Sequence, residues 1–560
     1  MWGVVRIVSV VAVVLALSAG SSSARSTAAT VGVYASGTTF AASGAAPGRA
    51  GTSVSLAMPI GGVDDSTILV SGAQNVAIGS PTIASPLQLK LFFAHYVSVN
   101  GTPVPDALLP WDGSQRPTEK ANQPLWLQVT VPAGTAPGTY GGSVVVVADG
   151  IRRTVPLSVA VSPVTLPATN QVSGSLLTAF NFSPQSYGAK AMALYGVTAD
   201  QSLPGLFNFL ASYRLSPNNW GYGNPNSGKG YTNSRKWWLD KSGQMISAVG
   251  EPSQFSSMWI PVSNNRWSPS TYVGGQSPFK PQKWCGYLRS VRGFWQKHGW
   301  LSSYPYLWGM DEPGLARYRV VDRQAKAAHS CFSGSHVVVT GRPTAQNRFL
   351  WNGGKDDVDV WVVLASRYYG QYTNPAQSRR GLSHATQNLK FVDAVRRRHK
   401  QVWAYQYNAA SHSTPGFTAS EPLADSRMFV DWTALEGITG LLYGQGTTTY
   451  AKGNPLVSND KEGGAYVLIY PGRTGPIPSA RLEVLREGIE DWEILNVVRH
   501  RHGAAVVKRL LSGLFSPKLG CTIGCPIKTS TPYSWPTWSR DASTSLKIAQ
   551  MRAAALRAAS

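Results

Sequence analysis

The feature that most restricts what this chain can become is a series of eight short strand-like runs after residue 170, most of them spaced by helical patterns. The runs are SLLTAFNF, RLSPNN, SSMWIPV, YPYLWGM, HVVVTG, VDVWVVL, QVWAYQY and ITGLLY. Helical patterns fall at 279–298, 315–331, 385–398 and 421–434. A strand followed by a helix and a second strand brings the chain back parallel to itself, so repeated βα units build a parallel sheet covered by helices. Eight units over 170–505 predict a (β/α)8 barrel of the TIM type. An open doubly wound sheet has the same periodicity, although no Gly-rich phosphate-binding turn follows the first run. The interval 221–255 reads as a long functional loop.

The preceding region has a different rhythm. Over 51–165 the period is two: in TVPLSVAV, the residues Val155, Leu157, Val159 and Val161 alternate with smaller or polar ones. LWLQVTVPAGTAPGTYGGSVVVVADG reads as strand, Pro/Gly turn, strand. This predicts a β-sandwich of the immunoglobulin-like type, joined to the barrel by a Pro/Thr linker near 162–170. Residues 25–50, rich in Ala, Ser, Gly and Thr, are expected to be flexible. Residues 506–560 are expected to form an extension whose last helix, SLKIAQMRAAALRAA, packs on the barrel exterior.

Residues 1–24 carry Arg6, an apolar run and then small residues, the layout of a secretory signal peptide. An uncleaved anchor is the alternative, and no other segment approaches a membrane span. Four cysteines fit export to a secreted or envelope-associated location. Pairing Cys285 with Cys331 and Cys521 with Cys525 is the economical arrangement, although three pairings are open. No Cys or His spacing matches a metal site, so neither metal nor cofactor is expected; His500 and His502 read as surface. The formal net charge is +23. In an exported chain, anionic envelope polymers are the expected counterpart. The basic residues are too scattered to outline a nucleic-acid footprint.

YPYLWGMDEPG, residues 304–314, places Asp311 and Glu312 directly after a buried-looking strand. Pro313 stops the strand and biases Glu312 towards an extended conformation. On a barrel, the C-terminal strand ends form the active face, and glycosidic cleavage needs a proton donor together with support for developing positive charge. Adjacent acids do not readily flank one bond from both sides. They suit substrate-assisted cleavage, with Glu312 as proton donor and Asp311 steadying a 2-acetamido nucleophile. A helix N-cap before GLARYRVVDRQ explains the same two residues without chemistry. A further alternative places the second carboxylate elsewhere, at Asp359 or Glu436. A last one is a non-catalytic glycan-binding envelope protein.

LWGMDEPG together with AYVLIYPGRTGPIPSARLEVLREGIEDWEIL resembles the catalytic domain of glycoside hydrolase family 123, which includes members filed as domain of unknown function 4091. Weaker matches at YRLSPNNWG, VDVWVV and QVWAYQY extend the similarity over roughly 175–500. The resemblance implies a sandwich paired with a barrel, Glu312 as general acid/base, Asp311 orienting the acetamido group, and β-N-acetylgalactosaminidase activity as a class. One departure is Gly444, where relatives often carry tryptophan. Sugar-binding candidates at strand ends are Asn219, Trp220, Tyr368, Tyr405, Tyr407 and Asn408, with Tyr369 beside them, because aromatic rings stack on sugars and hydroxyls bond to them. Ordinary barrel-top packing accounts equally for each. The charges Glu483, Arg486, Glu487, Glu490, Asp491 and Glu493 recur at helical spacing and are expected on solvated or ion-paired helix faces.

Overall fold

The computed structural model describes residues 29–168, 174–180, 182, 184–217, 255–260, 281–297, 299–310, 312–314, 317–352, 358–369, 389–406, 414–444, 457–458, 467–520 and 535–560. Residues 1–28, Cys521 and Cys525 lie outside them.

The N-terminal strands are β1 (Thr30–Ala35), β2 (Val54–Ile60), β3 (Val63–Ser71), β4 (Asn75–Ile78), β5 (Thr82–Ile83), β6 (Gln88–Val99), β7 (Thr102–Pro110), β8 (Arg116–Pro117), β9 (Asn122–Thr130), β10 (Gly138–Ala148) and β11 (Ile151–Thr165). They form two sheets. One runs β1–β3–β9–β6 with β7 also on β6, and the other runs β2–β11–β10–β4–β8 with β5 also on β10. Val155, Leu157, Val159 and Val161 of β11 are buried while their neighbours Thr154, Pro156, Ser158 and Ala160 are exposed, so the period-two reading holds there. Both sheets face one core that includes Val33, Val54, Ile68, Leu127, Val146 and Val159. The stretch 25–50 is not uniformly flexible: β1 pairs with β3 over Thr30–Ala35, and Phe40 is buried. Small residues give a weak hydropathy signal but fit closely against a sheet edge.

The second unit is a ring of parallel strands. These are β12 (Leu177–Phe180), β13 (Ser257–Trp259), β14 (Tyr304–Met310), β15 (His336–Thr340), β16 (Val360–Leu364), β17 (Gln401–Gln406) and β18 (Gly440–Tyr443). They run in sequence order from β13 to β18, and β18 pairs with β12. Contact between first and last strand is what an open doubly wound sheet lacks. The gap between β12 and β13 is filled by residues 214–217, which contribute one parallel bridge, Phe180 to Pro217. Serines complete the seam there. Ser257 Oγ donates to the Thr178 carbonyl (2.5 Å), and the Ser257 N–H donates to Ser216 Oγ (3.2 Å).

Around the ring lie α1 (Pro184–Tyr195), α2 (Ala199–Ser212), α3 (Pro281–Lys297), α4 (Tyr318–Cys331), α5 (389–396), α6 (Asp425–Glu436) and α7 (Ala480–His502), followed by α8 (Ala504–Leu511) and α9 (Thr544–Ala559). Cys285 of α3 and Cys331 of α4 form a disulfide. Among the described residues, no helix is long and apolar enough to cross a membrane.

The helix α7 departs from the solvated alternative. Glu483, Arg486, Glu487, Glu490, Asp491 and Glu493 are all buried, because α7 runs between barrel and sandwich and meets charges on both sides. From the sandwich, Asp106 takes a forked bond from Arg481 (3.0 and 2.7 Å), and Asp65 pairs with Arg486 (2.8 Å). From the barrel, Arg427 of α6 bonds Glu487 and Asp491, and Arg214 pairs with Glu493 (2.6 Å). The helix α9 is wedged into this junction rather than resting on the barrel exterior alone. Its Arg552 reaches Glu490 (2.7 Å) and Asp491 (2.7 Å), and lies 3.5 Å from Asp64. Removing one partner from such a buried set costs about 3–5 kcal/mol. The network therefore fixes how the sandwich sits on the barrel.

Candidate active site

Glu312 follows the C-terminal end of β14, on the face where barrel enzymes carry their chemistry. It is exposed, and the next helix begins only at Tyr318, with Arg317 in the capping position. The helix-cap explanation therefore fails for Glu312. Nor is its backbone extended as Pro313 would favour: φ is +39°, in the left-handed region where a non-glycine residue is strained. Such strain costs on the order of 1–3 kcal/mol and persists only when neighbours impose it.

Thr340, the last residue of β15, is one such neighbour. The Glu312 N–H donates to Thr340 Oγ1 at 2.7 Å, and that hydroxyl lies 3.5 Å from the Met310 carbonyl, which it can reach as donor. One buried side chain thus spans the two residues flanking Asp311. The register places it there, since β14 slips against β15 between Trp308 and Met310.

The carboxylate is oriented from the far side of the ring. Tyr405, near the end of β17, donates its hydroxyl to Glu312 Oε1 at 2.5 Å. The phenol is buried while the carboxylate is exposed, so the fixed group orients the accessible one. Two strands remote in sequence, β15 and β17, together hold one acid at the lip.

Asp311 lies outside the described residues, as do Asn219, Trp220, Tyr407 and Asn408. Tyr368 is described but is turned into packing. It is buried edge-on against Trp432 of α6 (5.2 Å) and accepts a bond from Arg396 (3.3 Å). Tyr369 is likewise buried, accepting from Trp432 Nε1 (2.8 Å) and donating to Glu436 (2.7 Å). Both tyrosines belong to the wall between the ring and its helices, a position that strand-end reasoning cannot separate from the cleft. Gly444 carries its N–H 3.4 Å from the Gln406 carbonyl, continuing the β17–β18 ladder.

The alternative carboxylates are elsewhere. Asp359 precedes β16, at the opposite end of the ring from Glu312. It binds His329 (2.7 Å), Lys400 (3.2 Å) and the Val337 N–H (2.8 Å). Burial alone would raise its carboxyl, but these partners hold it below the ordinary range. Glu436 ends α6 and is engaged by Tyr369. Neither shares space with Glu312. Among the described residues, no group of three or more His, Cys, Asp or Glu could hold a metal ion.

Residues 265–498 match the family model for the glycoside hydrolase 123 catalytic domain. Among solved structures, a family 123 glycoside hydrolase from Clostridium perfringens is similar over 94% of this chain and 97% of its own, with a TM-score of 0.66 and 14% identity. An endo-β-1,4-mannanase from Thermotoga petrophila aligns over 58% of this chain and 78% of its own at 11% identity, with a TM-score of 0.31. A putative α-galactosidase from Bacteroides fragilis aligns over 80% and 78% at 9% identity, with a TM-score of 0.28. The first of these supports the two-unit architecture; the other two resemblances are too loose to support anything. No curated protein matches the chain.

Proposed function

We propose, from the match of residues 265–498 to the glycoside hydrolase 123 catalytic-domain model, that this chain cleaves β-N-acetylhexosaminides, of the N-acetylgalactosamine type, by a substrate-assisted retaining route. The observation that carries the reading is the exposed, strained Glu312 held at the barrel lip by Tyr405 and Thr340.

In this scheme the protonated Glu312 gives its proton to the glycosidic oxygen as the bond to the anomeric carbon breaks. The carbonyl oxygen of the substrate's own 2-acetamido group attacks that carbon, forming an oxazolinium ring. Asp311 accepts a hydrogen bond from the acetamido N–H and balances the positive charge. Water then opens the ring, losing its proton to Glu312, so the configuration is retained and the acid is restored. The Tyr405 hydroxyl keeps Glu312 in one orientation through both steps, which is where positioning lowers a barrier. The leader-like 1–24 and the cysteine usage support export, and Cys521 with Cys525 is read as a second disulfide. The alternating strands of the N-terminal sandwich support an immunoglobulin-like type.

Turnover of chromogenic β-GalNAc, β-GlcNAc and β-galactoside substrates tests the reading. The wild type is expected to hydrolyse an acetamido sugar with net retention and to leave the 2-hydroxy galactoside nearly untouched. Asp311→Asn should lose most activity on the acetamido sugar. Equal turnover of both sugar types, or equal loss on both in Asp311→Asn, rejects substrate assistance.

A further inference from the structure

On the outer wall of the barrel, arginines gather without matching acids among the described residues. Arg348, in the turn after β15, donates from Nε to Asn352 Oδ1 (3.3 Å). Arg398, just past α5, donates from Nη2 to the same oxygen (3.4 Å). Two cations therefore converge on one neutral acceptor. Like charges at such range repel, and a surface built only for stability would place a carboxylate between them. Among the described residues neither arginine meets one.

The neighbourhood extends the same sign. Arg319 of α4 lies over the Phe349 ring (4.3 Å), and Arg398 lies over Trp351 (5.6 Å). Trp351 packs edge-on against Phe391 of α5 (5.8 Å), which fastens the Arg348 turn to that helix. Two acids among the described residues of α4 and α5 lie beside other cations. Asp322 pairs with Lys326 (3.0 Å), and Asp393 lies 3.9 Å from Arg396. Arg398 also donates from Nη1 to the Ala394 carbonyl (2.9 Å), whereas Arg348 is exposed and bonds Asn352 through Nε, an arrangement suited to a forked bond with carboxylate or phosphate at its terminal nitrogens.

We propose that this arginine arc, centred on the Arg348–Asn352–Arg398 bridge, binds an anionic polysaccharide whose carboxylate or phosphate groups are spaced along the chain. The arginines stand in series over α4, the 348–352 turn and α5, which fits a polymer better than a single ion. A single-stranded nucleic acid would want open aromatic faces for its bases. Here Trp351 is buried and both rings are capped by arginine. The choice of a glycan rests on the catalytic domain that carries the arc. A chain held on the wall keeps its cleavable ends at high local concentration near the lip.

The test uses the full chain and measures binding to sodium polygalacturonate at low and physiological salt, with dextran as neutral control and duplex DNA as the other polyanion. Wild type is expected to bind polygalacturonate in a salt-sensitive manner and to ignore dextran. Arg348→Gln/Arg398→Gln should weaken binding roughly tenfold, as expected for one exposed and one half-buried charge contact. Its melting temperature and its turnover of a small chromogenic glycoside should stay at wild-type values. Arg152→Gln/Arg153→Gln removes equal charge from exposed positions on β11 and should bind as wild type does. The proposal is overturned by equal weakening from the β11 pair, which assigns binding to net charge. It is equally overturned by absence of polygalacturonate binding, or by tighter binding to DNA through the same two arginines. Small-substrate turnover reads the catalytic reading separately, so failure of one is distinguishable from failure of the other.

Discussion

Thr340→Val is nearly isosteric and removes only the hydroxyl that accepts the Glu312 N–H at 2.7 Å and lies 3.5 Å from the Met310 carbonyl. An amide left without its partner costs about 1–3 kcal/mol. The same hydroxyl opposes the strain of φ +39° at Glu312, itself about 1–3 kcal/mol. The two costs are not additive, because relaxing the backbone relieves both. Relaxation moves the carboxyl away from Tyr405, so the loss should appear in transition-state stabilisation rather than in global stability. At about 1.4 kcal/mol per tenfold, 1–3 kcal/mol corresponds to roughly a 5- to 150-fold fall in kcat. KM should change little, since Thr340 is buried. The assay is steady-state hydrolysis of a chromogenic glycoside beside a thermal melt, with Thr340→Ser as the conservative variant. Serine keeps the acceptor and should restore most of kcat. Wild-type kcat in Thr340→Val, or no recovery in Thr340→Ser, refutes the idea that Thr340 acts by positioning Glu312.

Two other outcomes follow from the same geometry. Tyr405→Phe deletes the 2.5 Å bond to Glu312 and should lower kcat about 10-fold or more with an unchanged melting temperature; unaltered kcat removes Tyr405 from the site. Glu487 and Glu493 are each pushed up to about 7, chiefly by burial, against the pull of Arg427 and Arg214 respectively. A carboxyl raised on folding contributes stability that is full below its unfolded value and disappears as pH climbs through the folded one. Unfolding free energy from these groups should therefore fall between about pH 4.5 and 7 and then level off. His336, lowered to about 4 by burial, acts with the opposite sign. Glu493→Gln should flatten the decline in urea titrations; an unchanged slope excludes Glu493 as a contributor.

What the chain order alone revealed was whatever depends on local period. The β11 alternation, the parallel βα units and Glu312 just past a strand end are of that kind. Closure is not, because residues 214–217 supply one bridge and the seam is completed by serine side chains, which periodicity cannot show. Thr340 was invisible for a similar reason: its role comes from the register slip between β14 and β15. Strand-end placement singled out Tyr405 and Tyr368 alike, yet one points at Glu312 and the other into Trp432. The charges of α7 misled about solvation because a helix buried between two charged partners has the same spacing of acids and bases as one in water. Only Asp65, Asp106 and Arg552, hundreds of residues distant or beyond its end, distinguish the cases.

The most direct measurement is turnover by Glu312→Gln, which keeps shape and hydrogen-bonding capacity while removing the transferable proton. With an unchanged melting temperature, hydrolysis of the glycoside preferred by the wild type should fall by roughly 10²- to 10⁴-fold. Turnover within a few-fold of wild type from a folded Glu312→Gln protein contradicts the assignment of Glu312 as the acid.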